Sequence, residues 1–120
     1  MIAGAGPRGV RFEHWTDARQ QGRLAGRNLV TGEARPYDLV PYVWSDQHGR
    51  QLQMLGDCAG DVEFVRGASS SDSYVALIGR RGVVVGAVAF GDPAGFRLAR
   101  RVVTRRNSWP ACLQLDWQAA

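Results

Sequence analysis

There is no lysine in this chain: all 15 of its basic residues are arginine. Such one-sided usage reads as the coding bias of a GC-rich bacterial genome more than as a binding signature. Cysteine is scarce too. Cys58 and Cys112 stand far apart, with no CxxC pair and no zinc-ligand spacing, which argues against a dithiol redox motif or a zinc site. Both are read as ordinary buried or half-buried thiols. Long apolar runs are missing. The longest, Val83–Phe90, is far short of the roughly 20 residues that cross a bilayer. Met1-Ile2-Ala3-Gly4 opens the chain without a basic segment followed by an apolar one, so no secretion signal is expected and a cytoplasmic location follows.

What is present suits a small globular protein. The 120 residues are 45% hydrophobic and 22% charged, outside the range of disordered chains. A chain of this length buries about two thirds of its extended surface, so a core needs no covalent staple. The net charge of +4 favours an acidic partner. Nucleic acid is the weaker alternative. The arginines are scattered along the chain, and aromatics do not alternate with them as in single-strand binders.

The pattern along the chain predicts an α+β fold, an antiparallel sheet of about five strands packed with helices. Residues 1–9 are glycine-rich and read as irregular. Val10–Glu13 reads as a short strand. Thr16 is a candidate N-cap for a helix to about Val30, with Asp17 in its first turn. Ala18, Gly22, Ala25 and Leu29 share one face of mostly small side chains, and Gly32 and Pro36 end the helix. Val40–Trp44, holding Pro41, reads as an edge strand, and Ser45–Gly49 as a turn. Strands follow at Gln51–Met54 and Val62–Arg66, then a polar loop over Gly67–Ser73. Tyr74–Ile78 and Val83–Phe90 flank the hairpin signal Gly79-Arg80-Arg81-Gly82. Asp92-Pro93 opens a second helix to about Arg105. Its face of Phe96, Ala99 and Val103 is apolar, and Arg97, Arg100, Arg101 and Arg105 cover the rest. After Arg106 the pattern fades.

Three stretches carry candidate chemistry. Gly4-Ala5-Gly6-Pro7-Arg8-Gly9 fits the letters of a dinucleotide fingerprint, but no strand precedes it and a strand, not a helix, follows, so no such site is expected there. Arg11-Phe12-Glu13-His14-Trp15-Thr16-Asp17-Ala18 delivers a strand to a helix N-terminus. Free amides there suit an electron-rich group, and a capped helix start with a packed tryptophan is the plainer reading. Pro41-Tyr42-Val43-Trp44-Ser45-Asp46-Gln47 puts a large ring before three polar residues. It suits a flat cofactor or a partner protein, and a core tryptophan at a strand end is again the plainer reading.

Taken in order, these last two stretches resemble the C-terminal region of the FAD-dependent ferredoxin and rubredoxin reductases. The family pattern V-R-x-E-H-W-x-x-A-x-x-Q-G is met by Val10 through Gly22, and P-x-x-W-S-D-Q by Pro41 through Gln47. Val65-Arg66-Gly67 and the hairpin Leu77–Ala87 are also similar, so the resemblance spans about residues 9–106. It implies a C-terminal domain of an FAD/NAD-linked reductase. Residues 1–36 would end the FAD domain, 37–106 would form the C-terminal α+β domain, and the tail 107–120 is left unassigned. It also implies cofactor contacts from Glu13, His14, Trp15 and Trp44, with Trp44, Ser45, Asp46 and Gln47 facing a ferredoxin-like acidic iron–sulfur partner.

The resemblance further implies that the dinucleotide fingerprints lie upstream of this region. FAD would then bind weakly or not at all to this chain alone, and an FAD/NAD(P)H-binding domain or polypeptide is an expected partner. Gly56-Asp57-Cys58-Ala59 is similar to the family's ribose-binding signature, but it follows Trp44 and is out of place. The rival class is a stand-alone interaction module without redox activity, dimerising through the small-residue helix face.

Overall fold

The computed structural model describes residues 14–119. The expected Val10–Glu13 strand, the Gly4–Gly9 stretch and Glu13 itself lie outside the described residues. The chain divides between Pro41 and Tyr42 into two compact units.

The first unit holds helix α1, Trp15–Thr31. It is capped two residues before the expected site: His14, extended at φ −104°, is the N-cap, and its side chain makes no cap bond. Thr16 lies inside the first turn. The imidazole is a poor cap acceptor, so the helix begins where backbone geometry permits and not where a hydroxyl invites it. Gly32 ends the helix at φ 70°, its N–H donating to the Asn28 carbonyl. Asn28 then exchanges side-chain bonds with the Arg35 backbone, turning the following segment back along the helix. Gly22 and Gly26 meet nothing within 4 Å, and Leu29 and Val30 are exposed.

The second unit is an antiparallel sheet in the order β1-β2-β5-β4-β3. Its strands are β1 Tyr42–Gln47, β2 Arg50–Gly56, β3 Asp61–Arg66, β4 Tyr74–Arg80 and β5 Val83–Phe90. The α+β class and the five antiparallel strands agree with the sequence pattern. Several strand ends differ, and two of the differences tighten a turn. Ser45, Asp46 and Gln47 belong to β1, and only His48-Gly49 form the turn, both at positive φ. Gly79 and Arg80 likewise stay in β4, and the turn shrinks to Arg81-Gly82, at φ 53° and 79°. Two-residue turns of this hand match strand twist, so ladder bonds take up the flanking polar residues. Gly79 serves packing instead: a Cβ there would lie 2.3 Å from the Trp109 ring.

Helix α2, Pro93–Thr104, covers one sheet face. That face carries Leu55, Ala87, Ala89, Val75 and Leu77, neighbours across the ladder and almost fully buried. Ala87 and Ala89 on the central strand let the helix approach closely. From α2 come Phe96, Ala99, Val102 and Val103, where each Phe or Val contributes about 1.5–3 kcal/mol by leaving water. The opposite face carries the aromatic row Phe64, Tyr74 and Phe90, with ring centroids 5.5 and 5.8 Å apart.

The residues after Arg106, patternless in sequence, have defined structure. Asn107 and Ser108 run beside the start of β5, with the Val84 N–H donating to the Asn107 carbonyl. The short helix α3, Trp109–Leu113, and a 3-10 turn at Trp117–Ala119 follow. Trp117 is buried and its indole N–H donates to the Cys112 carbonyl.

One polar node joins these parts. Asp92 caps α2 by accepting from the Gly95 N–H at 2.8 Å. Its other oxygen pairs with Arg66 Nε at 2.6 Å, at the end of β3. Arg66 Nη1 donates to the Trp117 carbonyl at 2.6 Å. Asp92 is largely buried, so removing its cation leaves a charge without compensation. Arg66→Met is expected to cost about 3 kcal/mol in urea unfolding; a loss below about 1 kcal/mol would mean that water replaces the guanidinium there.

A second, exposed pair closes the β2–β3 turn. Asp57 accepts from the Ala59 N–H at 2.9 Å and from Arg80 Nη1 at 2.6 Å. The backbone bond from Ala59 chiefly, and Arg80 next, hold its carboxyl below the ordinary value of 3.8. A depressed carboxyl adds stability that is present above its unfolded value and lost as pH falls through the folded one. Asp57→Asn should therefore lower stability modestly near neutrality, where that contribution is fully present, and leave a flatter acid limb that converges with the parent once pH falls below the folded value. Parallel acid-unfolding curves for variant and parent would contradict this.

Candidate functional site

Pro41 lacks an N–H and stands immediately before β1, which suits a strand at the sheet's edge. Alternation sends Tyr42, Trp44 and Asp46 to the α2 side, and Val43, Ser45 and Gln47 to the other. Tyr42 tilts against Phe96 of α2, ring centroids 5.6 Å apart. Its hydroxyl accepts from Gln53 Nε2 at 3.0 Å, which explains why a glutamine sits on the buried face. Trp44 stacks on Tyr42 at 5.9 Å and 17°. The Arg100 guanidinium lies 5.6 Å from the Tyr42 ring centre. The result is a ladder of rings, Phe96–Tyr42–Trp44, running from the core to an indole that is 42% exposed.

The structure thus keeps Trp44, Ser45, Asp46 and Gln47 on one strand but splits them by face. Asp46 shares the side of Trp44. Ser45 and Gln47 share the other, where Gln47 Nε2 donates to Ser45 Oγ at 2.7 Å. All three are exposed. Sequence reasoning overlooked Tyr42 and Arg100 as parts of this site. The signal was present in the spacing: Tyr42 and Trp44 are two apart on a strand, and Phe96 and Arg100 four apart on a helix.

In the first unit, His14 and Trp15 stand at the opening of α1, and Trp15 is 68% exposed with Arg19 over its ring at 5.4 Å. Nearby Asp17 is buried, at 1% exposure. It accepts from the Tyr37 hydroxyl and from Gln21 Nε2, and its place in the first turn faces the positive end of the helix dipole. Burial first, then the bond to Asp17 and its charge, raise the Tyr37 hydroxyl well above the ordinary tyrosine value. Both thiols are also raised: Cys58 by burial and then by the charge of Asp57, Cys112 by burial. Neither is an activated nucleophile.

Residues 42–119 match the family model described as Reductase C-terminal. The ferredoxin–NAD(+) reductase component of the p-cumate 2,3-dioxygenase system of Pseudomonas putida is 34% identical over 99 residues. That match spans 82% of this chain and 24% of the relative's length. Putidaredoxin reductase, solved as a covalent complex with putidaredoxin, shares the fold with TM-score 0.76 at 23% identity, over 91% of this chain and 26% of that one. The ferredoxin reductase for the CYP199A2 system of Rhodopseudomonas palustris superposes with TM-score 0.75 at 28% identity, over 92% of this chain and 28% of that one. The resemblance read from the two motifs and these matches agree.

Tyr37→Phe would leave the buried Asp17 without its hydroxyl partner. It is expected to destabilise α1 by about 1–3 kcal/mol, read as earlier loss of helical circular dichroism in urea. An unchanged transition would mean that Gln21 alone satisfies the carboxylate.

Proposed function

Because this chain belongs to the reductase C-terminal family, we propose that it serves as the C-terminal part of an FAD-dependent NAD(P)H:ferredoxin reductase. In this reading it covers the flavin edge, helps dock an iron–sulfur electron acceptor, and does not turn over alone. The observation that carries the reading is the ring ladder ending at Trp44. A half-exposed indole backed by buried rings is a rigid aromatic surface on which a flat group or a partner can seat without ordering new side chains.

The residues fit a flavin in two respects. The helix α1 opens with no bond from its cap side chain, so first-turn amides face outward with the positive dipole end behind them. Trp15, at the first helical position, offers an amide there and an exposed ring. The flavin, when bound, supplies the conversion of a hydride's two electrons into single-electron steps. The chain's own part is electrostatic and positional. The amide of Trp15, with His14 and Glu13 preceding it, would hold an electron-poor edge toward the ring carbonyl and favour negative charge there. Trp44 would exclude water, and Ser45, Asp46 and Gln47 would form a polar rim toward the acceptor.

The domain assignment follows the same reading. Residues 1–36 would complete an FAD domain whose remaining elements lie elsewhere, and the sheet from residue 37 onward would be the C-terminal domain. Trp117 ties the segment after residue 106 to that domain through Arg66. No helix among the described residues is long and apolar enough to cross a membrane.

A second reading, a dimerisation module without redox activity, is favoured by the open face of α1 at Gly22 and Gly26 and by exposed Leu29 and Val30. Light scattering that finds only monomer would remove it.

The test is an FAD titration of the purified chain, followed by tryptophan fluorescence, and then a complementation assay. The chain alone is expected to give no saturable quenching. Mixed with a polypeptide carrying the FAD and NAD(P)H domains, it should restore ferredoxin reduction, and Trp44→Ala should lower that rate by about tenfold or more. Tight FAD binding by the chain alone would overturn its incompleteness, and failure to bind the complementing polypeptide would overturn the reading as a whole.

A further inference from the structure

Two polar side chains among the described residues are buried, Asp17 and Gln53. Asp17 belongs to α1. Gln53 stands on the α2-facing side of β2, where its neighbours in the core are Leu55, Ala87 and Ala89. It is paired with Trp44 on one side and with Ala89 on the other. Directly opposed residues hold their Cβ atoms about 4.5–5.5 Å apart, and a long side chain also reaches the diagonal neighbour. Gln53 uses that reach: its Nε2 donates to the Tyr42 hydroxyl at 3.0 Å. One side chain therefore stands beside Trp44 and holds the ring on which Trp44 stacks.

Folding alone does not call for this pair. Burying an amide and a hydroxyl costs free energy that their mutual bond offsets. Leucine in place of Gln53 and phenylalanine in place of Tyr42 would fill the same space with no polar atom to satisfy, and replacing both partners by apolar groups of like shape is close to neutral. What an apolar pair lacks is direction. Apolar contact is non-directional, whereas a hydrogen bond weakens steeply as it bends. The bond from Gln53 fixes where the far end of the Tyr42 ring points, and Phe96, with ring centroid 5.6 Å away at 37°, sets its tilt from behind. Trp44 lies nearly parallel to the Tyr42 ring, at 17°. It stands on an edge strand with no strand beyond it, so its plane follows that of Tyr42.

We propose that Gln53 is a positioning residue: by holding the Tyr42 hydroxyl it fixes the ring beneath Trp44, and so sets the pose in which the exposed indole meets a flat group or a partner. This rests on the reading of Trp44 as the contact surface and adds the residue that orients it. A surface ring already held in its bound pose loses little freedom on contact. Without the Gln53–Tyr42 bond, Tyr42 keeps its place, because Phe96 and Arg100 still pack on it, but Trp44 gains alternative poses. Each contact then has to order the indole anew, which weakens it by about two- to tenfold.

In the experiment the full chain carries fluorotryptophan at its four tryptophans, which are followed by fluorine NMR, and W44F assigns the Trp44 signal. The variants are Q53L, Y42F, Q53L/Y42F and Q53E, whose carboxylate can accept a bond from the Tyr42 hydroxyl. Q53L and Y42F are each expected to broaden or split the Trp44 signal while those of Trp109 and Trp117 keep their width. The double variant should add nothing to either single one, and Q53E should restore a narrow line. With the complementing FAD/NAD(P)H polypeptide and putidaredoxin as acceptor, Q53L should raise the KM for the acceptor about two- to tenfold and have no further effect in W44A. A Trp44 signal that shifts without broadening makes Gln53 only a neighbour of the ring, and broadening of Trp109 and Trp117 as well makes its role merely structural; either result overturns the proposal. An unchanged KM in Q53L beside a raised one in W44A overturns it too, since the pose would then not matter for contact. If Q53L fails to fold, Y42F and Q53E decide by the same signals. If Q53L broadens Trp44 but W44A leaves ferredoxin reduction unchanged, Gln53 does position the ring and it is the reading of Trp44 as the contact surface that falls.

Discussion

The second unit depends on a single ion pair. Burying Arg66 against Asp92 carries a desolvation cost, and such pairs persist only when their remaining hydrogen-bonding capacity is used. Here it is. Asp92 caps α2 through Gly95, and Arg66 also holds the Trp117 carbonyl. Three segments remote in sequence, the end of β3, the start of α2 and the C-terminal turn, thus meet at one guanidinium.

The register of α2 follows from that start point. With the cap at Asp92, the first apolar residue to reach the sheet is Phe96, which lands on Tyr42. One turn later Arg100 lies over the same ring. Arg97, Arg101 and Arg105 then point to solvent because helical periodicity leaves them no other side. A shift of the helix by one residue would separate the arginines from the aromatic strip. The pair that organises the core therefore also positions the ring ladder that ends at Trp44. The ring ladder carries the same logic outward, since each ring is held by the one beneath it. The chain spans 24% of the Pseudomonas putida relative's length, and the proposed function accordingly assigns it covering and docking, not cofactor retention.

Much of this was legible from local rules. The α2 cap, the hairpin at Arg81-Gly82, the edge character of β1 beside Pro41 and the glycine stop at Gly32 each follow from one residue's backbone chemistry. The errors have equally local causes. Ser45, Asp46 and Gln47 have the composition of a turn, but the ladder with β2 claims their backbone groups, since Asp46 faces Gln51 and Gln47 faces Arg50. Thr16 has the chemistry of a cap, but the helix starts upstream of it. The segment after Arg106 has no periodicity because it is held by tertiary bonds to β5 and Arg66 and not by its own amphipathic face.

The sequence by itself determined the class, the strand and helix inventory and the family, because periodicity, turn chemistry and ordered motifs are properties of neighbouring residues. It also marked Trp44 as a candidate. Only the tertiary structure decided that Trp44 stacks on Tyr42 beside Arg100, that Asp46 parts company with Ser45 and Gln47, and that a row of arginines adjoins the exposed ring. Those facts depend on which strand lies at the edge and which turn of α2 crosses it. Long-range pairing sets both, and no local pattern encodes it.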